Sequence, residues 1–162
     1  MQLLEIKKYP DSILRKKAEA VFEITPGEVK LFEDMLFTMH HFKGVGLAAP
    51  QIGVASQLIV CDTGDNIIKL ANPKIIKRRG KDKMFEGCLS IPGFSIEIVR
   101  NYEVTVLGLN ERGKETEIKA RGLSARVLQH EIDHLKGKLI LDYRSLLERI
   151  FKRCSTKKVR KL

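Results

Sequence analysis

The sequence predicts an α+β fold: mostly antiparallel β-sheets around a central helix that bears an HExxH motif, with an N-terminal helix and a C-terminal basic helix. Three observations support this class. Residues 25–41 and 124–136 carry apolar side chains at helical spacing, and the chain between them is typical of short strands separated by turns. The 162 residues are 43% apolar, enough for one packed core. We therefore expect a single domain over residues 1–162.

The first helix is predicted to begin at Thr25 and to stop at Gly44. Thr25 and Glu28, with a proline between them, form a capping-box pattern that satisfies free backbone N–H groups. Apolar side chains then recur at spacings of three and four: Val29, Phe32, Met35, Leu36 and Met39. His40 and His41 fall in the last turn, where a favourable interaction with the helix C-terminus accounts for them.

The middle of the chain predicts strands. A short apolar run covers 58–61, and a β-rich stretch covers 67–76 with a break at its Asn-Pro pair. Partial alternation over 96–109 leads to a hairpin turn and a return strand over 115–120. Cys61, within the first run, is expected to point into the core as a small hydrophobic residue.

The second helix is predicted from Ser124, as its N-cap, to about Lys136, with Gly137 at its end. Two stripes lie on nearly opposite sides of it. One contains Leu128, Ile132 and Leu135, and the other contains Val127, His130 and His134. A helix that is apolar on two sides is buried on both, so it should run through the centre of the domain.

The HExxH motif at 130–134 suggests a metal site. His130 and His134 lie one above the other on a helix, so both imidazoles can reach one ion. Glu131 is turned by about 100°, which lets it reach a water on the ion rather than the ion. A lone HExxH also occurs on ordinary polar helix faces. Here the two histidines share a stripe expected to be buried, and buried histidines need partners.

A third ligand must come from elsewhere, because catalytic sites usually have three protein ligands and an open position. Cys88 is the outstanding candidate. It lies in the segment 86–90, EGCLS, whose glycine and the nearby Pro92 and Gly93 favour an irregular turn that presents a thiolate. Taken alone, Cys88 is better explained as a buried structural cysteine, and the HExxH motif is what favours a ligand.

The segment 44–53 is rich in glycine and alanine. It is not a phosphate loop, since it lacks the Lys-Ser/Thr ending, and it follows a helix, unlike a dinucleotide fingerprint. Small residues let a backbone approach a ligand closely, and Gln51 adds an amide donor. A tight turn packed on the sheet is the alternative interpretation.

Together these segments match a family. Residues 44–51, 86–90 and 129–134 carry in order the motifs GxGLAAxQ, EGCLS and HExxH, and the chain resembles the bacterial peptide deformylases over nearly its whole length. The resemblance implies a metal-dependent hydrolase that removes the formyl group from the N-terminal formyl-methionine of nascent polypeptides and releases formate.

The resemblance also implies roles for individual residues. The metal ligands would be Cys88, His130 and His134, with water as the fourth ligand. Glu131 would act as general base and then as acid, while the Gln51 side chain and the Leu89 backbone N–H would stabilise the oxyanion. Substrate would bind at Val45, Gly46, Gly87, Leu123, Arg126 and Val127, the last three lining a methionine pocket. Glu86 would pair with Arg100 to support the site.

The implied cofactor is one divalent ion per chain, Fe²⁺ in the cell, with Zn²⁺, Ni²⁺ or Co²⁺ able to substitute. The sequence departs from some members of the family, which place an arginine near Ser95. Substrate contacts at that point should therefore differ, whereas the metal chemistry should not.

The net charge of +10 is uneven, since residues 143–162 carry +7 of it. A basic tail can dock on a polyanion. By resemblance that partner would be the ribosome, and a solubilising terminus is the alternative. No apolar run approaches the roughly 18 residues that cross a bilayer. The start does not match a secretory signal, and three separated cysteines favour a reducing compartment. We expect a cytoplasmic protein without membrane or specific DNA partners.

Two rival functions remain at this point. A metal-dependent endopeptidase uses the same HExxH logic and would cleave internal peptide bonds. A basic RNA-binding protein with a structural metal would need a fourth protein ligand, and no good candidate is found, because Asp133 lies off the histidine stripe and Glu131 is poorly placed.

Overall fold

The computed structural model describes residues 1–64 and 66–144. These residues form helices α1, Pro26–His41, and α2, Gly122–Leu135. Their strands are β1 Gly46–Ala48, β2 Leu58–Asp62, β3 Ile67–Arg79, β4 Asp82–Cys88, β5 Ile91–Arg100, β6 Glu103–Leu109 and β7 Glu115–Arg121. The predicted α+β class, with mostly antiparallel sheets and two main helices, is confirmed. The predicted basic helix lies outside the described residues beyond Arg144.

The strands form two antiparallel sheets, a five-stranded sheet in the order β1-β2-β3-β6-β7 and a two-stranded sheet of β4 and β5. Strand β2 is buried on both faces. Its Ile59 and Cys61 side chains join the core cluster of α2, while Leu58 and Val60 join the cluster of α1. This double burial explains the unbroken apolar run of β2, because side chains alternate between the faces of a strand. The predicted burial of Cys61 is correct.

Helix α1 begins as predicted and ends earlier than predicted. The Thr25 hydroxyl accepts from the Gly27 N–H, and the Glu28 carboxylate accepts from the Thr25 N–H, which completes the capping box. The helix ends at His41, and Lys43 adopts the left-handed conformation with φ of +55°. Gly44 is needed for a different reason, since a Cβ there would lie 2.9 Å from the Leu89 side chain.

Helix α2 begins two residues before the predicted start. Gly122, with φ of +54°, is its first residue, and the Ser124 hydroxyl pairs with the Thr63 hydroxyl at 2.6 Å instead of capping the helix. The predicted end is correct, because Gly137 with φ of +69° follows the last turn. A Cβ on Gly137 would lie 2.4 Å from the Arg15 carbonyl oxygen. Both predicted stripes of α2 are largely buried.

Two strand predictions were wrong in detail. Strand β3 continues through Asn72 and the following proline, because Asn72 takes a φ of +52° and a register shift against β6 absorbs the irregularity. The stretch 96–109 is not one strand: its first part belongs to β5 and its second to β6, in different sheets. In the described part of the chain, no helix is long and apolar enough to span a bilayer.

Candidate metal and active site

Three ligand atoms converge where β4 ends beside α2. Cys88 is the last residue of β4, and His130 and His134 are one turn apart on α2. Cys88 Sγ lies 3.2 Å from His134 Nε2, and the two histidine Nε2 atoms lie 3.2 Å apart. The three atoms are all within 4.8 Å of one another. The structure thus brings together the three residues that the sequence suggested as metal ligands.

This donor set suits a divalent transition metal. Burial lowers the pKa of His134, and the positive charge of His130 lowers it further. Burial also opposes charge on His130, but hydrogen bonds to Cys88 and Glu86 outweigh it and raise the pKa of His130 to about 10. Charge on one imidazole thus disfavours charge on the other, and a cation held between the three atoms would satisfy all of them. One thiolate and two imidazoles with an open position are typical of catalytic metal sites.

Glu131 lies beside the ligands and faces β1. A Cβ on Gly46 would lie 2.3 Å from Glu131 Oε1, so the glycine provides the space that the carboxyl occupies. Burial raises the pKa of Glu131 to about 7, against the opposing charges of His130 and Arg100. Oε2 of Glu131 is buried and has no hydrogen-bond partner within the described residues. A carboxyl that titrates near neutral pH in this position is suited to take up and release a proton.

Gln51 is held by both ends of its amide. It lies in a short 3-10 turn, Ala49–Ile52, directly after β1. Its Oε1 accepts from the Ala48 N–H at 2.8 Å, and its Nε2 donates to the Ser90 hydroxyl at 3.2 Å. Nε2 also lies 3.5 Å from Cys88 Sγ. The amide donor therefore has a fixed direction next to the ligand cluster, and the contribution of buried Ser90 was missed by the sequence analysis.

Glu86 connects His130 to two buried cations. Its Oε2 lies 2.9 Å from His130 Nδ1, and its carboxylate pairs with Arg100 at 2.6 and 2.9 Å. Arg126 adds a bond to Oε1 at 2.7 Å. Burial would raise the pKa of Glu86, but the bonds from His130 and Arg100 prevail and lower it to about 2. The expected Glu86–Arg100 pair is present.

Part of this network was missed by the sequence analysis. Arg100 also bonds Asp133 at 2.8 Å, and the Tyr143 hydroxyl donates to the same carboxylate at 2.6 Å. Arg126 was expected only to line a pocket, yet its guanidinium also bonds the Ile98 carbonyl at 2.9 Å. One sequence signal could have revealed this contact. A buried carboxylate such as Glu86 needs cationic partners, and α2 carries Arg126 one turn before His130.

A cavity of about 390 Å³ opens onto these groups. Its walls include every residue assigned to substrate binding: Val45, Gly46, Gly87, Leu123, Arg126 and Val127. Gln51, Cys88, Leu89, His130 and Glu131 line the same space. Apolar wall residues that the sequence analysis did not identify are Met84, Phe85, Ile91 and Phe94. Phe85, 70% exposed, shows that the mouth is apolar.

Comparison with known proteins points to one family. The family model described as polypeptide deformylase matches residues 3–149. Peptide deformylase of Halothermothrix orenii is 51% identical over 144 residues, covering 88% of this chain and 94% of its own. Peptide deformylase of Thermodesulfovibrio yellowstonii is also 51% identical, over 92% of this chain and 93% of its own.

Solved structures agree. Peptide deformylase from Thermus thermophilus has a TM-score of 0.88 at 38% identity, covering 97% of this chain and 95% of that chain. The enzyme from Ehrlichia chaffeensis, solved in complex with actinonin, has a TM-score of 0.89 at 38% identity and covers 100% of both chains.

Proposed function

We propose roles for the cavity residues from one premise: the chain belongs to the polypeptide deformylase family. Members of this family are metal-dependent enzymes that remove the N-formyl group from nascent peptides by hydrolysing the formyl-methionine amide. The observation that carries the residue-level proposal is the convergence of one thiol and two imidazoles at a cavity that also contains a buried, unpaired carboxyl oxygen.

Cys88, His130 and His134 hold the metal in this proposal. The ion is Fe²⁺ in the cell, and Zn²⁺, Ni²⁺ or Co²⁺ occupy the same site. The support is the donor set, which combines a soft thiolate with imidazoles. When bound, such an ion would activate water by lowering its pKa toward about 7.

Glu131 moves the proton. Its carboxylate takes a proton from the attacking water and delivers it to the methionine nitrogen as the formyl C–N bond breaks. The water oxygen leaves in formate, and the peptide keeps a free amine. A pKa of about 7 supports both halves of this cycle, since the group is neither a very weak base nor a very weak acid at neutral pH. Such transfer typically contributes roughly 10²–10⁴ in rate.

Gln51 and Leu89 stabilise the charge that builds on the formyl oxygen. One N–H of the Gln51 amide is bonded to Ser90, and the other is directed at Cys88 Sγ, 3.5 Å away, where the substrate would meet it. The Leu89 backbone N–H, next to the ligand Cys88, is the second donor. Losing one donor of this kind typically costs roughly 10²–10³ in kcat.

Glu86 orients His130 through its Nδ1 atom, and Arg100 and Arg126 hold Glu86 in turn. Partners of metal-bound histidines commonly change metal affinity by about 10–100-fold when they are removed. We infer that α2 is the central helix of the domain, because one side packs on the five-stranded sheet and the other bonds β4 and β5.

Substrate binds along β1. This strand is at the edge of the five-stranded sheet, so the backbone groups of Val45 and Gly46 can pair with a peptide in strand-like fashion. Gly87 contacts the peptide, and Leu123, Arg126 and Val127 receive the methionine side chain. Near Ser95, where some relatives carry an arginine, the Arg144 guanidinium lies 4.3 Å from the Phe94 ring centroid.

A direct assay separates this function from the endopeptidase alternative. Anaerobically purified protein is analysed for metal and tested for formate release from formyl-Met-Ala and for cleavage of internal peptide bonds. We expect formate release alone. A Glu131→Ala variant should keep its metal and lose turnover. Full activity in that variant contradicts the assigned proton carrier, and a fourth protein ligand to the metal contradicts an open catalytic site.

The basic end of the chain suggests a partner. We infer one domain over residues 1–162 whose tail, about 143–162, docks on the ribosome in the cytoplasm, where formylated chains are made. Its charge of +7 supports this idea, and a solubilising role is the alternative. Deleting residues 152–162 should reduce co-sedimentation with ribosomes at moderate salt. Unchanged co-sedimentation ends the proposal.

A further inference from the structure

A second segment of the chain is also strongly basic. Residues 74–83 contain six basic residues and one acid, a net charge of +5. With +7 in residues 143–162 and +10 overall, all other residues together carry −2. The positive charge is therefore concentrated in two segments, of which only the tail was predicted to bind a partner. We call residues 74–83 the basic segment. It runs from β3 into β4 and crosses between the two sheets.

The cations of the basic segment are available to a partner. Five of them are exposed and have no ion-pair partner within residues 1–64 and 66–144: Lys74, Lys77, Arg78, Arg79 and Lys81. The one acid of the segment, Asp82, is paired with the buried Arg126. Lys83 pairs with Glu97, while Glu103, opposite Arg79 on β6, pairs with Arg121 instead. Unpaired, hydrated cations can neutralise phosphates without first breaking existing ion pairs.

Strand register extends this charge across one face of the sheet. Lys77 lies opposite Thr105, which lies opposite Lys119. One row along, Arg79 lies opposite Glu103, which lies opposite Arg121. Directly opposed residues point to the same face, and it is the face turned away from the α2 core cluster. We define the basic face as Lys77, Arg79, Lys119 and Arg121. Its one acid, Glu103, pairs with Arg121 at 3.1 Å, and the exposed Glu117 lies in the next row of the same face.

An exposed aromatic ring lies at the edge of this face. Tyr102 is 47% exposed and lies beside the turn of the basic segment, since a Cβ on Gly80 would lie 3.3 Å from Tyr102 Cβ. The adjacent Asn101 amide donates to the Gly80 carbonyl at 3.1 Å, which fixes the two connections side by side. Cations next to an exposed aromatic ring are typical of surfaces that bind single-stranded nucleic acid, where phosphates meet the charges and a base stacks on the ring.

We propose that the basic segment, the basic face and Tyr102 form a docking surface for single-stranded or looped RNA. The segment continues along β4 into Met84 and Phe85 at the mouth of the cavity, so bound RNA would lie next to the entrance for substrate. The choice of RNA rests on the proposed function, because a nascent peptide is still attached to an RNA-rich particle. Ile76 is also exposed within the segment, so binding to anionic lipid is the alternative that the test must separate from RNA binding.

The test compares two full-length variants of equal net charge. The first carries alanine at Lys77, Arg78, Arg79 and Lys81, and the matched control carries alanine at exposed Lys8, Lys16, Lys17 and Lys114. Binding to a labelled 16-nucleotide RNA of mixed sequence is measured over a series of salt concentrations. We expect the first variant to bind at least about tenfold more weakly, with a salt slope lower by about 2 to 3, since each phosphate contact adds roughly 0.7. The control should change by less than about threefold.

A third variant and a second probe complete the test. Tyr102→Leu keeps apolar bulk and should weaken RNA binding by about fivefold or more through lost stacking. Equal weakening of RNA binding by the two sets of alanine substitutions overturns the proposal. So does a first variant that loses binding to phosphatidylserine vesicles but keeps its binding to RNA. Formate release from formyl-Met-Ala should be unchanged in the first variant and the control. The formate assay contains no RNA, so the two proposals can fail separately. A protein that binds RNA but releases no formate refutes the enzymatic function and does not contradict the RNA-binding surface.

Discussion

Replacing Gly46 with alanine tests whether the position of Glu131 is set by the absence of a side chain on β1. The new Cβ would lie 2.3 Å from Glu131 Oε1 and 2.6 Å from Val127 Cγ1. Ordinary contact begins near 3.4 Å, so the Glu131 oxygen must move by about 1 Å. The carboxyl is the flexible end of a side chain and will move before the backbone does.

A displacement of about 1 Å in a reacting group costs roughly 10²-fold in rate, or about 2.7 kcal/mol of transition-state stabilisation. We therefore expect kcat for formyl-Met-Ala to fall about 100-fold in Gly46→Ala. The KM should rise by less than kcat falls, because alanine keeps the backbone N–H and C=O of β1 but its Cβ also displaces Val127, which is proposed to line the methionine pocket. Metal content should be unchanged, because the atoms nearest the new methyl group belong to Glu131 and Val127 and not to a proposed ligand.

The decisive measurement is the same substitution in a Glu131→Ala background. If alanine at position 46 acts mainly through the Glu131 carboxyl, it should cost much less once that carboxyl is gone, and the remaining loss reflects the contact with Val127. A further loss of about 100-fold in the double variant would refute the reasoning and assign the effect to peptide binding at β1. Loss of metal in the single variant would also contradict it.

Three more predictions follow from the buried charges and the ligands. Burial raises the pKa of Glu131 from 4.5 to about 7, so ionising it disfavours the folded state increasingly as pH rises from 4.5 through 7. Glu131→Gln should therefore stabilise metal-free protein by up to about 3 kcal/mol in urea at pH 8 and not at pH 4; equal gains at both values contradict the assigned cause. Glu86→Gln leaves the buried Arg100 and Arg126 without their full negative partner. It should lower the free energy of unfolding in urea by about 3 kcal/mol or more, and it should weaken metal binding, measured by titration, by about 10–100-fold. Unchanged metal affinity would show that His130 does not depend on this contact. Removing the metal with a chelator should abolish formate release and lower the Tm, and adding Fe²⁺ under anaerobic conditions should restore both. In Cys88→Ala, added Fe²⁺ should restore neither formate release nor the Tm. Recovery in that variant excludes Cys88 as a ligand.

The predictions that held came from signals within one element. The capping box of α1 and the glycine after α2 involve residues a few positions apart, and both were recognised correctly. The start of α2 was wrong because Ser124 has a partner, Thr63, from a distant loop. Strand boundaries at 96–109 failed for a similar reason: local alternation carries no information about which sheet a strand joins.

The linear order of residues was sufficient to identify the family, both histidines and the helix that presents them. Their spacing of four is a property of a single helix and needs no distant contact. The contacts that position the other side chains of the site depend on packing between segments that are far apart in the sequence. It determines that Gly46 makes room for Glu131, that Arg126 shares Glu86 with Arg100, and that Ser90 fixes the Gln51 amide. Such contacts join residues 14 to 85 positions apart, and their distances depend on how sheets and helices close on each other, which no local pattern records.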